Sequence, residues 1–468
     1  MSQKKISRRD LLKSAAIGAG GFVAGSISSC SFGGETAEPT AASSEAPAEA
    51  APPEAAAPTE APAETEEQAG GAAPAAQAGE PIRIVGVFPL SGAIAADGEE
   101  MRNGVIMAID EINEMGGLLG RELEYIEIDD VNSQTDEIAT AFERAVEVES
   151  PDVIFSGYHL ATGPEFDIVA NAGVLYYNVN TQKAWTDRYQ SDPDKYWSIF
   201  QCDPNDEWYG GGFALWLQSL VDSGRFNPDL GLTTAILAGD DPYDSFIAQN
   251  FEEKAQELGW EITMKESFTV GNVADWGPLL SGVRDNPPSM LFTTTFSPAD
   301  NAAMAQQLAA NPLPSLVYQQ YGPSVPEYLE LAGDSANGII WATVLGLLPD
   351  AIGNDFRARY EAKFGQPPGW ANAGGCYDEV WVWAKAVALA GDPQDYQKIA
   401  RITEQSIHRG GTGGISFENH AGRAYPAQTN DPSLGQAHII VQIQNGQHIV
   451  ISPEPYTTGD FQLPPWMA

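Results

Sequence analysis

Short apolar runs alternate with amphipathic helical stretches from residue 82 to residue 320, and this alternation restricts the folds open to the chain. Residues 82–90 form an apolar run with few polar breaks, the pattern of a parallel strand buried on both faces. Residues 99–115 place Val105, Ala108, Ile109 and Ile112 on one helical face, and Gly116-Gly117 ends the pattern. Further strands are predicted at 122–129, 153–156, 175–179, 196–202, 232–238, 261–268, 290–296 and 316–320, with helices between them. Two helix starts are explicit. Asp240-Asp241-Pro242 opens one that runs to Leu258, and Ser297-Pro298 opens one over 299–310. In each, a capping side chain precedes a proline in the first turn. Strand, helix, strand at this spacing gives right-handed βαβ units and open, mostly parallel sheets. The strands are too many for one sheet, so two lobes are expected. The end of the chain differs: 437–443, Asn445-Gly446 and 448–451 read as a hairpin with a type I′ turn.

Ahead of this body lies a different kind of sequence. Ser7-Arg8-Arg9-Asp10-Leu11-Leu12-Lys13 is a twin-arginine pattern, followed by a Gly/Ala-rich apolar stretch over 14–25. Ile27-Ser28-Ser29-Cys30 then places small residues before a cysteine, which fits an export signal processed as a lipoprotein, with Cys30 as the lipidation site. The apolar stretch is short and Gly-rich for a membrane span. An uncleaved anchor helix would leave the body on the same side of the membrane. Residues 31–79 are almost entirely Ala, Pro, Glu, Thr, Ser and Gly. Such a segment cannot bury enough apolar surface to offset chain entropy, so it is expected to be a disordered spacer. The expected layout is a signal at 1–30, a linker at 31–79 and a folded body from 80.

The chain carries a formal net charge of -40, most of it on the body. That surface excludes nucleic acid and anionic lipid as partners. With Cys30 lipidated, Cys202 and Cys376 remain, open to a disulfide or to two buried thiols. The five histidines show no zinc-like spacing, and no nucleophile elbow or Walker loop is present. No catalytic residue, metal site or cofactor is therefore assigned.

Several stretches together resemble the type I periplasmic solute-binding proteins, in the branched-chain amino-acid and amide-binding family that serves ABC transporters. They are residues 84–92, Gly104 to Asn113 with Gly116-Gly117, Gly239 to Tyr243, residues 356–364 and 374–388, and Gly411-Thr412-Gly413-Gly414-Ile415-Ser416-Phe417. The resemblance covers nearly all of 80–460. It implies an α/β fold of two Rossmann-like lobes, with mostly parallel sheets joined by a three-crossing hinge. Lobe I would take 80–205 with 340–430, and lobe II 206–339 with 431–468. The crossings would lie near 203–207, 335–345 and 425–437. Closure of the lobes on a solute would then be what a permease recognises.

Candidate ligand residues lie in loops just after strands: Ser91 after the first, Tyr158, His159 and Thr162 after the third, Asn180 and Thr181 after the fourth. Hydroxyls and free N–H groups at a helix start suit a carboxylate or carbonyl oxygen. Helix capping alone accounts equally well for Ser91 and Thr162. The resemblance adds Asp206 at the first crossing, Tyr243, Gln320 and Tyr321. Amino-acid-binding members place an acid in the loop after the 316–320 strand. Here that loop has Tyr321 and no acid before Glu327, which opens the choice between an amino acid and an amide, urea-like or other neutral polar ligand. Tyr158, Tyr176, Tyr177, Trp185, Trp208, Tyr243 and Tyr321 crowd these loops; each suits core packing as well as ligand stacking. Expected partners are a small polar ligand and ABC permease subunits. A ligand-sensing receptor subunit and an amide-hydrolysing enzyme are the alternatives.

Overall fold

The computed structural model describes residues 79–467 except 93, 162, 272 and 426–433. The expected signal, Cys30, the spacer as far as residue 78, and Thr162 lie outside the described residues.

The chain opens with β1 (Ile82–Phe88), α1 (Ala95–Glu114), β2 (Leu123–Asp129), α2 (Thr135–Arg144), β3 (Val153–Ser156), α3 (Pro164–Ala172), β4 (Leu175–Asn178), α4 (Lys183–Ser191) and β5 (Ile199–Gln201). A second alternating series follows: α5 (Glu207–Asp222), β6 (Thr233–Gly239), α6 (Pro242–Glu257), β7 (Glu261–Phe268), α7 (Gly277–Asp285), β8 (Met290–Thr294), α8 (Pro298–Ala310), β9 (Leu316–Gln319), α9 (Pro326–Ala332) and β10 (Ile340–Thr343). Then come α10 (Ala351–Phe364), α11 (Asn372–Ala390), α12 (Tyr396–Gln405), β11 (Ile407–Gly410), β12 (Gly413–Glu418) and β13 (Ala421–Gly422). A short pair, β14 (Ala424–Tyr425) and β15 (Gln436–Ala437), precedes the hairpin of β16 (Ile439–Gln444) and β17 (Gln447–Ser452).

Two sheets result. The first runs β11-β12-β13-β5-β4-β3-β1-β2 and the second β17-β16-β10-β9-β8-β6-β7. β1 to β5 pair in parallel, as do β6 to β10. Antiparallel strands appear only near the far edges, in β11 to β13 and β16 to β17. β10 sits in the second sheet, paired antiparallel to β16. Passage back to the first sheet therefore follows Thr343, a few residues beyond the boundary at 340 that the sequence suggests. The chain passes between sheets at 202–206, at 344–350 and within 423–438, the last partly outside the described residues.

Local chemistry explains the element ends. The Asp241 side chain accepts Tyr243 N–H and Asp244 N–H at 3.0 and 3.1 Å and caps α6. Ser297 Oγ accepts Asp300 N–H at 3.2 Å and caps α8. Asn445 and Gly446 both take positive φ, 51° and 73°, as the type I′ turn requires. α2 gives way after Arg144 to a π turn over Ala145–Glu149, before Ser150 turns left-handed. α1 lies directly on α11 at Gly104, where a Cβ would stand 2.2 Å from the Ala373 carbonyl oxygen, so only glycine permits that approach. Cys202 and Cys376 are buried free thiols. Among the described residues, no helix is long and apolar enough to cross a membrane.

Candidate functional site

The loops at the carboxyl ends of both parallel sheets wall a single cavity of about 270 Å³. This is where open α/β sheets bind their ligands. From the first half come Gln134 after β2, Tyr158 to Ala161 after β3, Val179 to Gln182 after β4, and Asn372 opening α11. The second half contributes Tyr209 of α5, Asp241 to Tyr243 after β6, Phe296 after β8 and Tyr321 after β9, with Leu345 from the second crossing. Among the described residues the lining includes no lysine or arginine.

Tyr158, His159, Asn180, Thr181, Tyr243 and Tyr321, candidates from the sequence, all line this cavity. Three other candidates stand away from the wall. Ser91 donates its hydroxyl proton to Asp129 Oδ2 at 2.7 Å, while Asp129 Oδ1 takes Leu90 N–H and Val131 N–H. Its side chain is used in joining the loops after β1 and β2. Asp206 is buried, and its Oδ1 accepts Lys183 N–H at 3.1 Å. Burial pushes that carboxyl up to about 7. Gln320 lies behind the wall: Nε2 donates to the Tyr243 oxygen at 2.9 Å, and Oε1 accepts from Tyr318. Of the crowded aromatics, Tyr176, Tyr177 and Trp185 pack in the core. Tyr176 and Tyr177 bond to Ser156 and Thr403 there.

His159 fixes the architecture of the first wall. It is fully buried, with Nδ1 2.7 Å from Asp130 Oδ2. Ser133 Oγ donates to the same carboxylate at 3.1 Å. The His159 carbonyl oxygen accepts Gln182 Nε2 at 3.0 Å and Asn180 Nδ2 at 3.5 Å. Loops after β2, β3 and β4 therefore meet at one residue. Burial works against a charged imidazole here, but the bond to Asp130, its charge and that of Glu165 together hold the pKa above the usual histidine value. Serine and aspartate both sit on the Nδ1 side, whereas a nucleophilic relay needs them on opposite ring nitrogens. Among the described residues, no three His, Cys, Asp or Glu side chains form a metal-holding group.

The second wall reaches the first through Tyr321. Gly322 N–H bonds to the Gln320 carbonyl at 2.7 Å, and Tyr321 takes φ 57°, ψ -56°, a γ-turn of the rare hand. The Tyr321 hydroxyl donates to Asp97 Oδ2 at 3.2 Å and accepts Asn372 Nδ2 at 3.0 Å, both in the first half. The Tyr158 hydroxyl donates to the same Asp97 oxygen at 2.5 Å. Burial raises the Asp97 pKa, and the two phenol hydrogen bonds pull against it. Asp97, Asn372, Gln134, Gln182, Tyr209 and Phe296 are not singled out by the sequence. Asp97 carries a usable signal, an acid in the first turn of the helix after the first ligand loop. Asn372 carries none, since its place depends on the return of α11 from far along the chain.

Two mostly parallel α/β halves, with a cavity where their strand ends face one another, define a two-lobed solute-binding protein. The chain belongs to the periplasmic binding protein family, whose sequence pattern matches residues 81–444. It is 25% identical over 357 residues to the leucine-, isoleucine-, valine-, threonine-, and alanine-binding protein of Pseudomonas aeruginosa, covering 74% of this chain and 88% of that one. A crystal structure described as a putative branched-chain amino acid ABC transporter from Silicibacter pomeroyi is 36% identical, with a TM-score of 0.78 over 83% of this chain and 100% of that one. A solute-binding protein of R. palustris in complex with benzoate shares the fold at 15% identity, with a TM-score of 0.66 over 82% of this chain and 99% of that one.

Proposed function

We propose that this protein captures a small polar solute, an amino acid or an amide-like molecule, between its two lobes and delivers it to an ABC permease. The observation that carries this reading is the shared cavity, walled by the strand-end loops of both halves. A ligand there would touch both halves at once, so binding would favour the state in which they are closed. Lobe I is residues 80–205 with 344–425, and lobe II is 206–343 with 434–467. Tyr158, His159, Asn180, Thr181, Tyr243 and Tyr321 are the proposed ligand residues, with Thr162 beside them in sequence. The protein works outside the cytoplasm, exported through its twin-arginine signal and anchored by lipid on Cys30, with residues 31–79 as a tether that keeps it near its permease. It is not an enzyme: its relatives are solute-binding proteins, and the Ser133–His159–Asp130 cluster has the wrong geometry for nucleophilic catalysis.

A thermal-shift screen of the full-length protein against amino acids, amides, urea and short carboxylates tests this. A ligand that binds only the native state at 100 times its Kd adds about 2.7 kcal/mol and raises the melting temperature. Absence of any shift across the panel would refute the reading.

A further inference from the structure

We propose that Asp97 is a specificity-determining residue of the cleft, which selects solutes bearing an N–H donor, an amino group above all. This rests on the reading of the cavity as the solute site. The argument concerns where hydroxyl protons go. Tyr158 and Tyr321 both line the cavity, one from each lobe, and both give their protons to Asp97 Oδ2. A phenol has one proton to donate. With that proton committed, a solute that meets either oxygen can only donate to it. Asn372 Nδ2 takes one acceptor site of Tyr321 and the Tyr158 hydroxyl meets the same oxygen, so the Tyr158 oxygen is the acceptor this end offers. This end of the cavity is thus an acceptor surface.

On the opposite wall Tyr318 donates to Gln320 Oε1, which turns Gln320 Nε2 toward the Tyr243 oxygen. Tyr243 accepts that bond, and its hydroxyl is also hydrogen-bonded to Tyr209.

Charge points the same way. The Asp97 carboxyl stands directly behind the two phenols, and no lysine or arginine among the described residues lines the wall. An ammonium group meets both demands, since it carries three donors, no acceptor and a positive charge. A plain carboxylate meets neither at this end. The loop after β9 lacks the acid that would otherwise pair with an amino group; Asp97, from the opposite lobe, supplies the carboxylate behind Tyr321 of that same loop. The alternative is purely structural: an acid in the first turn of α1 also stabilises the helix dipole.

The test uses matched pairs. Calorimetry on the full-length protein compares L-leucine, L-phenylalanine and L-glutamine, each beside the carboxylic acid that lacks its amino group. For every pair that binds, the amino form is expected to bind tighter by on the order of tenfold to hundredfold, the worth of hydrogen bonds to a charged group. Asp97→Asn is expected to reduce that ratio to near unity, and Tyr321→Phe to lower it. A structural loosening would weaken both members of a pair equally and leave the ratio unchanged, and that result would overturn the proposal. So would a deaminated acid that binds the wild type as tightly as its amino acid. Binding of the acids alone would leave a solute receptor and remove this inference, whereas no binding by any of the six would refute an amino-acid receptor and take the inference with it.

Discussion

Asp130→Asn should reveal what the buried imidazole at the first wall does. The Asp130 carboxylate is buried, 2.7 Å from His159 Nδ1, and takes the Ser133 hydroxyl as well. Asparagine keeps the shape and one acceptor oxygen but removes the charge. Hydrogen bonds to charged groups contribute about 1.5–3 kcal/mol, so a loss of about 2 kcal/mol in unfolding free energy is expected at pH 6. The pH dependence carries more information. The folded His159 pKa lies above the ordinary 6.5, so the folded state holds a proton that the unfolded chain releases in the interval between the two values. The contribution of the charged bond is complete below about pH 6.5 and fades as pH rises through the folded value. Urea unfolding of wild type and D130N at pH 6 and pH 9 reads this directly, because shared titrations cancel in the difference. The gap between the proteins should be largest at pH 6 and clearly smaller at pH 9. A gap equal at both values would refute a charged imidazole at the wall.

Three further outcomes are expected. Tyr243→Ala should weaken solute binding by about tenfold or more while leaving the melting temperature of the ligand-free protein within a few degrees; calorimetry and a thermal melt check both. Gly104→Val should destabilise the body by roughly 2 kcal/mol or more, measured by urea unfolding, because a Cβ 2.2 Å from the Ala373 carbonyl oxygen forces α1 and α11 apart. Asp206, raised to about 7 by burial, should follow the same sign as His159 in a lower window: its ionisation weakens the fold as pH climbs from about 4 to 7. D206N should accordingly be more stable than wild type at pH 8, with the advantage gone at pH 4; a melting series across that range would expose the reverse sign.

The fold was legible because its signals are local. Asp241 and Ser297 announce their helices by capping chemistry that involves neighbours within three residues. Asn445-Gly446 fixes a hairpin in two. The parallel strands read as apolar runs because both faces of each sheet are covered. The limits of legibility follow from the same physics. Ile340 to Thr343 is an apolar run wherever it pairs, so only its neighbours β9 and β16, the latter about a hundred residues later, assign it to the second sheet. Ser91 and Asp206 lie in the right loops but turn their side chains to neighbouring loops, a choice that depends on Asp129 and Lys183 being in reach. Gln320 follows its strand at the right place, but the two-residue period of the backbone brings Tyr321 to the wall and leaves Gln320 behind it. Asp97 has a local signal, yet its significance depends on two tyrosines from opposite lobes arriving at one oxygen.

That convergence gives the strained residue a purpose. A non-glycine side chain in a positive-φ γ-turn costs on the order of 1–3 kcal/mol and persists only where its surroundings hold it. Tyr321 is held from both directions. Its own half supplies the Gly322 to Gln320 bond that closes the turn, and the opposite half supplies Asp97 and Asn372 to its hydroxyl. Under the proposed hinge closure, parting of the lobes would break the cross-cleft bonds and leave only the Gly322 to Gln320 bond to hold the turn. Tyr321 would then weight the closed arrangement, and a solute whose amino group engages the same oxygens would add to that weight. Tyr321, one of several non-glycine residues with positive φ, thus stands where cleft chemistry and contact between the two halves meet, as expected where local consistency gives way to function.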